Sequence, residues 1–188
     1  MTKSCKVCQE RKPNQPRGPL LQTEVPNRPW HTIGTNLFYL DEDEHLLIAD
    51  YYTKYPFVRK IPKAQSTSKC AVAITTQIFS EHGILLIVRS NNGPHFQGHY
   101  HRLSTEYGFK HVTCSPNYPK SNGFIESQVK IVKRVLEKAQ RPNSDPNIAL
   151  LCLRSTPIDN KLPSPAELPL GRQIQDNLPR KIKSNHTS

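Results

Sequence analysis

From His31 the chain breaks into three short runs of β-branched, aromatic and aliphatic residues, HTIGTNLFYL, HLLIADYYT and PFVRKIP. The acidic DEDE and the stretch from Lys54 to Pro56 separate them, which predicts three successive antiparallel strands. Between residues 67 and 80 apolar side chains recur at Ala71, Ile74 and Ile78, with Val72 and Phe79 beside them. That is the spacing of one helix face, and Gly83 suits the helix end. ILLIVRS at 84 to 90 opens on a continuous apolar run and predicts a central strand buried on both faces. Residues 98 to 107 predict a short helix ended by Gly108, and FKHVTC a further strand. SPNYPKSNG has the residues of a surface loop. A long helix then starts near Gly123, because Ile125, Val129, Val132 and Leu136 fall at i, i+4, i+7 and i+11 on one stripe. NIALLCLRST predicts a second helix before Pro157. The resulting order of strands and helices predicts an α/β domain with helices packed on a mixed sheet.

Composition narrows this picture. A chain of 188 residues has room for one compact domain of about 100–200 residues. Pro13, Pro16, Pro19, Pro26 and Pro29, with Gly18, mark a linker, and prolines gather again near the other end, so both tails are expected to be extended. The expected partition is residues 1–29, a core over 30–160 and a proline-rich basic tail over 161–188. A formal charge of +11 favours a polyanionic partner, nucleic acid first, since phosphate neutralisation releases counterions. A basic surface kept for solubility would have the same composition. Five cysteines, odd in number and scattered, do not resemble a secreted disulfide framework and point to a reducing compartment, nuclear or cytoplasmic. The first residues lack a signal-peptide core, and no apolar run approaches the ~18 residues a membrane span needs.

Three blocks then become recognisable together: RPWHTIGTNLF, IVRSNNGPHF and SPNYPKSNGFIESQVKIVKRVL. They resemble the integrase catalytic core of gypsy-like long-terminal-repeat retroelements, within the retroviral-type integrase family. ALLCLRSTPIDNKLPSPAELPLGR resembles the segment that follows that core, so the resemblance runs from about Cys5 to Pro179. It implies a ribonuclease-H-like α/β fold, a mixed five-stranded sheet flanked by helices, and a relation to DNA integration. It also implies a site where two Asp and one Glu hold two Mg²⁺ ions. Carboxylates suit that hard cation, and the ion pair stabilises the attacking and leaving oxygens of phosphoryl transfer.

Mapped onto this chain, the first Asp position is Asn36, the second is Asn91 within SNNGP, and the Glu is Glu126. Only one of the three carboxylates is present, so the resemblance implies an inactive polynucleotidyl transferase relative, with no cofactor expected. Asp50 in IADYYTKY is a tempting substitute, but the family also carries Asp there outside the triad, which favours a structural role. Glu126 follows Asn91 by 35 residues, one fewer than is usual in the family, placing a deletion around Gln97 to Arg102.

Lys130 and Lys133 stand at i+4 and i+7 from Glu126 and so share its helix face. In the family this helix lies along the viral DNA end, which makes both lysines candidate DNA contacts. Ordinary ion pairs with Glu126 and Glu137 would be the alternative role. Cys5 and Cys8 have the spacing of half a tetrahedral zinc site, but the family's upstream His pair is absent from this chain, leaving a truncated zinc-domain remnant without metal. His95, His99 and His101 read as surface histidines, and Trp30 as a core anchor. Three functions compete: an inactive integrase remnant, a co-opted nucleic-acid or protein binding module, and an active enzyme with an altered metal site. The missing carboxylates argue against the third. A homo-oligomer is compatible with the first two, and no membrane partner is expected.

Overall fold

The computed structural model describes residues 26–63, 65, 67–114, 123–140, 144–158 and 162–177. Cys5, Cys8, most of the expected linker and the SPNYPKSN loop lie outside the described residues. The three apolar runs form β1 (Thr32–Leu40), β2 (Asp43–Asp50) and β3 (Pro56–Lys60), an antiparallel meander. Leu40 pairs with Asp43, so only Asp41 and Glu42 make the first turn, with Asp41 at φ 54°. Helix α1 (Thr67–His82) leads to β4 (Ile87–Asn91), which pairs in parallel with β1. A 3₁₀ turn (Pro94–Phe96) and α2 (His99–Tyr107) precede β5 (Lys110–Cys114), parallel to β4. The order is β3-β2-β1-β4-β5, with β1 in the middle. Helices α3 (Gly123–Lys138), α4 (Pro146–Ser155) and α5 (Glu167–Leu170) complete the described elements.

Side chains alternate across a strand, so each strand feeds two cores. Leu46 and Ile48 of β2 join Ile33, Val88, Ile78, Phe79 and Tyr100 on the face covered by α1 and α2. Leu47 and Ala49 join Phe38, Ile125, Val132, Leu136 and Leu150 on the face covered by α3 and α4. A sheet covered on both sides explains why HLLIA has no polar alternation. The mixed five-stranded sheet flanked by helices is the arrangement expected from the sequence.

Two segments differ from expectation. The strand expected over 84 to 90 begins only at Ile87, and Ile84 and Leu86 are 53% and 51% exposed while Leu85 and Val88 are buried. Gly83 turns the chain at φ 84°, and Leu86 and Ile87 both donate to the His31 carbonyl, so this is where the segment joins the sheet. An apolar run therefore overstated how much of it is buried. Residues 162–177, expected within an extended tail, pack on the domain. Ser164 and Ala166 are buried, Ala166 N donates to Arg154 O at 2.9 Å, and Ser155 Oγ donates to Asp176. Pro169 and Leu170 line a small pocket with Trp30, Tyr55 and Phe57. Proline excludes regular structure but not apolar contact, which is why composition misjudged this stretch. Among the described residues, no helix is long and apolar enough to cross a membrane.

Helix α3 approaches β1 closely at Gly34. A Cβ at that position would meet Ile125 Cβ at 3.0 Å and the Tyr51 ring at 3.3 Å. Gly34→Ala is therefore expected to destabilise the domain by about 1–3 kcal/mol through overpacking, read as a lower urea midpoint. An unchanged midpoint would show that α3 does not seat on β1 at this distance.

Candidate functional site

Period-two alternation decides which side chains meet between the sheet and α3. On β1, Ile33 enters the α1-side core and Phe38 the α3-side core, so Gly34, Asn36 and Phe38 share the α3 side. On β4, Val88 lies in the α1-side core, which turns Arg89 and Asn91 toward α3. Parallel pairing of Thr35 with Ser90 then brings the next residues, Asn36 and Asn91, side by side. Asn91 Nδ2 donates to Asn36 Oδ1 at 2.9 Å. The backbone fixes both amide orientations: Leu37 N donates to Asn36 Oδ1 at 2.9 Å, and Gly93 N donates to Asn91 Oδ1 at 3.1 Å. A Cβ at residue 93 would sit 2.9 Å from Asn91 Oδ1, so a larger residue there would have to displace the Asn91 side chain.

Glu126 lies in the first turn of α3, next to Ile125, whose side chain seats on Gly34. It is exposed, and among the described residues no hydrogen bond or ion pair joins it to Asn36 or Asn91. The structure thus joins two of the three mapped positions directly and leaves the carboxylate on the helix above the same sheet face. Asp50 cannot replace a lost carboxylate there. It shares the α1 side with Ile48, is 2% exposed, and accepts from Trp30 N at 3.2 Å and Thr53 N at 2.8 Å. Its role is to hold the turn after β2 against Trp30. Trp30 itself packs edge-on against Phe57 and Phe79 and donates from Nε1 to Gly83 O at 2.7 Å.

Lys130 is exposed and Lys133 half-buried on α3. Among the described residues, neither lysine forms the ion pair with Glu126 or Glu137 that helix spacing allows. His99 and His101 are exposed and His95 is half-buried. Among the described residues, no group of three or more His, Cys, Asp or Glu side chains is placed to hold a metal ion.

Four further residues did not stand out in the sequence, three on the α3 side with the amide pair and His111 on the opposite, α1 side of the sheet. Arg89 and Tyr51 face α3 as the alternation partners of Asn91 and Ala49, a period-two signal that points to the site only once α3 is known to cover that face. Lys54, at φ 63°, sets its Nζ 4.5 Å from the Phe124 ring centroid, and burial lowers its pKa from the ordinary lysine value. His111 Nε2 lies 2.8 Å from Ser90 Oγ, and burial followed by the nearby His101 lowers its pKa. These contacts join distant parts of the chain and leave no local signature.

No family model matches the chain. An uncharacterized protein of Caenorhabditis elegans is 29% identical over 185 residues, and the Gag-Pro-Pol polyprotein of Human T-cell leukemia virus 2 is 27% identical over 141 residues. These matches take in 95% and 73% of this chain but only 14% and 10% of the relatives, so it spans a small part of either. Among solved structures, integrase in the simian T-cell lymphotropic virus intasome, in complex with PP2A regulatory subunit B56 gamma, superposes with TM-score 0.71 at 19% identity. That likeness covers 95% of this chain and 68% of the other. The BIV integrase catalytic core gives TM-score 0.63 at 20% identity, covering 76% of this chain and 95% of that one. The HTLV-2 integrase catalytic core in complex with magnesium gives 0.59 at 22%, covering 76% and 97%. The fold is therefore the ribonuclease-H-like fold of retroviral integrase catalytic cores, as the resemblance implied.

The amide pair has a direction that substitution can read. Asn36→Asp keeps an acceptor facing the Asn91 Nδ2 donor, whereas Asn91→Asp sets a carboxylate against Asn36 Oδ1. Asn91→Asp is expected to cost about 1–3 kcal/mol of stability at neutral pH, and Asn36→Asp clearly less. Equal urea midpoints for the two variants would rule out the hydrogen bond as described.

Proposed function

We propose that the chain is an integrase-core-like nucleic-acid-binding protein, related to retroelement DNA integration and without catalytic activity. The observation that carries this reading is the hydrogen bond between Asn36 and Asn91. On the mapping from the resemblance, these are the two positions where two-metal phosphoryl transfer would need carboxylates. Each amide oxygen already accepts from a backbone N–H, and a neutral amide is a poor exchange for the hydration shell of Mg²⁺. The donor set does not suit a metal pair, and Glu126 alone leaves both ions without a shared anionic bridge. No cofactor is assigned.

Nucleic acid is the partner that the charge favours. The formal charge is +11, and among the described residues Lys130 and Lys133 on α3 have no carboxylate partner. Phosphate neutralisation by such groups is independent of base sequence, so binding has little sequence preference. DNA is the expected form, and a homo-oligomer would multiply the contacts.

Affinity for duplex DNA should fall steeply with salt, and the Lys130→Ala/Lys133→Ala variant should bind more weakly with a log–log salt slope smaller by about 2. Fluorescence anisotropy across a salt series gives both quantities. Salt-independent binding, or a double variant identical to the parent, would remove this surface.

In strand-transfer and end-processing assays with Mg²⁺ or Mn²⁺, no product is expected. Losing a single preorganised electrostatic group typically costs about 10²–10³ in rate, and two of the three are replaced here. Product formation that Glu126→Gln abolishes would overturn the reading of an inactive site.

A further inference from the structure

Ser90 stands directly before Asn91 on β4, but alternation turns its side chain to the α1 side of the sheet with Val88, where it is fully buried. Its hydroxyl donates to the Asn91 carbonyl at 2.8 Å and lies 2.8 Å from Nε2 of His111 on β5. A hydroxyl has a single hydrogen to give. With that hydrogen on Asn91, the Ser90 oxygen accepts from His111, so the ring proton sits on Nε2. His111 therefore reaches the Asn91 backbone through one serine, from the side of the sheet that the amide pair does not face.

The elements packed around this ring bring it no compensating charge. Tyr100 of α2 lies against it with ring centroids 5.0 Å apart, is fully buried, and sets its hydroxyl 3.2 Å from Thr75 Oγ1 of α1. Thr75 donates its own hydrogen to the Ala71 carbonyl at 2.7 Å, so Tyr100 donates to Thr75, and burial keeps its phenol protonated. The 3₁₀ turn contributes Phe96, which packs on Tyr100. On β4, Arg89 faces α3, and on β5 Lys110 and Cys114 alternate away from His111, which leaves the exposed Thr113 on its side. Among the described residues, His101 of α2 is the titratable neighbour that acts on His111, and no carboxylate forms an ion pair with it. A charge at His111 would lose water and meet a second cation once His101 is protonated.

We propose that His111 is a pH-sensitive positioning residue for the amide pair: the neutral ring holds Ser90 and through it the Asn91 carbonyl, and protonation loosens that hold. The sign follows from the environment. Burial first and His101 second set the folded pKa below the ordinary histidine value. The contribution of the neutral ring is therefore complete above that ordinary value and is lost as pH falls through the folded one. The Asn91 side chain stays on Asn36 only while its backbone is held, so mild acid acts on the α3 side of the sheet without a titratable group in the pair itself. This device is independent of what the α3 face binds.

The test follows the backbone and side-chain amide signals of the full ¹⁵N-labelled chain, together with the histidine ring signals, from about pH 8 to about pH 5. Asn91 and Gly93 are expected to shift with the midpoint of the His111 ring, below the ordinary histidine value. Ser90→Ala should leave His111 titrating and remove the shift at Asn91. His111→Gln, whose side-chain amide can still donate to Ser90, should hold both signals near their neutral-pH positions throughout. His101→Gln should raise the midpoint and keep the response. An Asn91 signal that does not move with the His111 midpoint overturns the proposal, as does a response that persists in both Ser90→Ala and His111→Gln.

Discussion

Parallel pairing of β1 with β4 is the constraint from which the rest of the architecture follows. It places two strands distant in sequence next to each other at the middle of the sheet, with their alternating side chains in step. The connection between parallel strands must cross a face of the sheet, and α1 does so while burying Ile78 and Phe79. The opposite face is left for α3, whose first turn reaches β1 only because Gly34 has no side chain. Asn36, Asn91 and the α3 N-terminus come together as a consequence. The site is a product of the sheet's topology, and its chemistry is set by whichever residues occupy those positions.

Here the occupants are amides. A pair of carboxylates at this separation would repel each other unless a cation or a shared proton stood between them. The Asn91 to Asn36 hydrogen bond needs no third party. Each amide uses a backbone N–H as well, which leaves little unsatisfied polarity at the pair itself. Among the described residues, the donors left unmet near the pair are the buried Tyr51 hydroxyl and Arg89 Nε. Replacement of charge by amide thus relieves electrostatic strain at the strand ends and uncovers the cationic character of their neighbours.

Much of this arrangement was legible in the sequence. The runs at β1, β2 and β3 carry their identity in β-branched and aromatic residues, and α3 in the spacing of Ile125, Val129, Val132 and Leu136. The mapped positions Asn36 and Asn91 were readable because short motifs surround them. What escaped the sequence depends on contacts between distant segments. Nothing local says that Asp50 caps a turn on the α1 side, or that Ile84 and Leu86 stay exposed before the strand begins. The packing of residues 162–177 was hidden by proline content, since composition reports backbone freedom and not burial. Arg89 and Tyr51 carry a weak signal, alternation, whose meaning depends on knowing which helix covers that face.

The central claim is that Asn36 and Asn91 hold each other and not a metal ion. Paramagnetic broadening by Mn²⁺ tests it most directly, with the side-chain amide resonances of the two asparagines as reporters in the uniformly ¹⁵N-labelled protein. The amide pair predicts that both signals persist at Mn²⁺ concentrations that already broaden exposed carboxylate neighbours. Selective early loss of the Asn36 and Asn91 side-chain signals, together with backbone signals around Glu126, would contradict it and establish a cation site at the three positions.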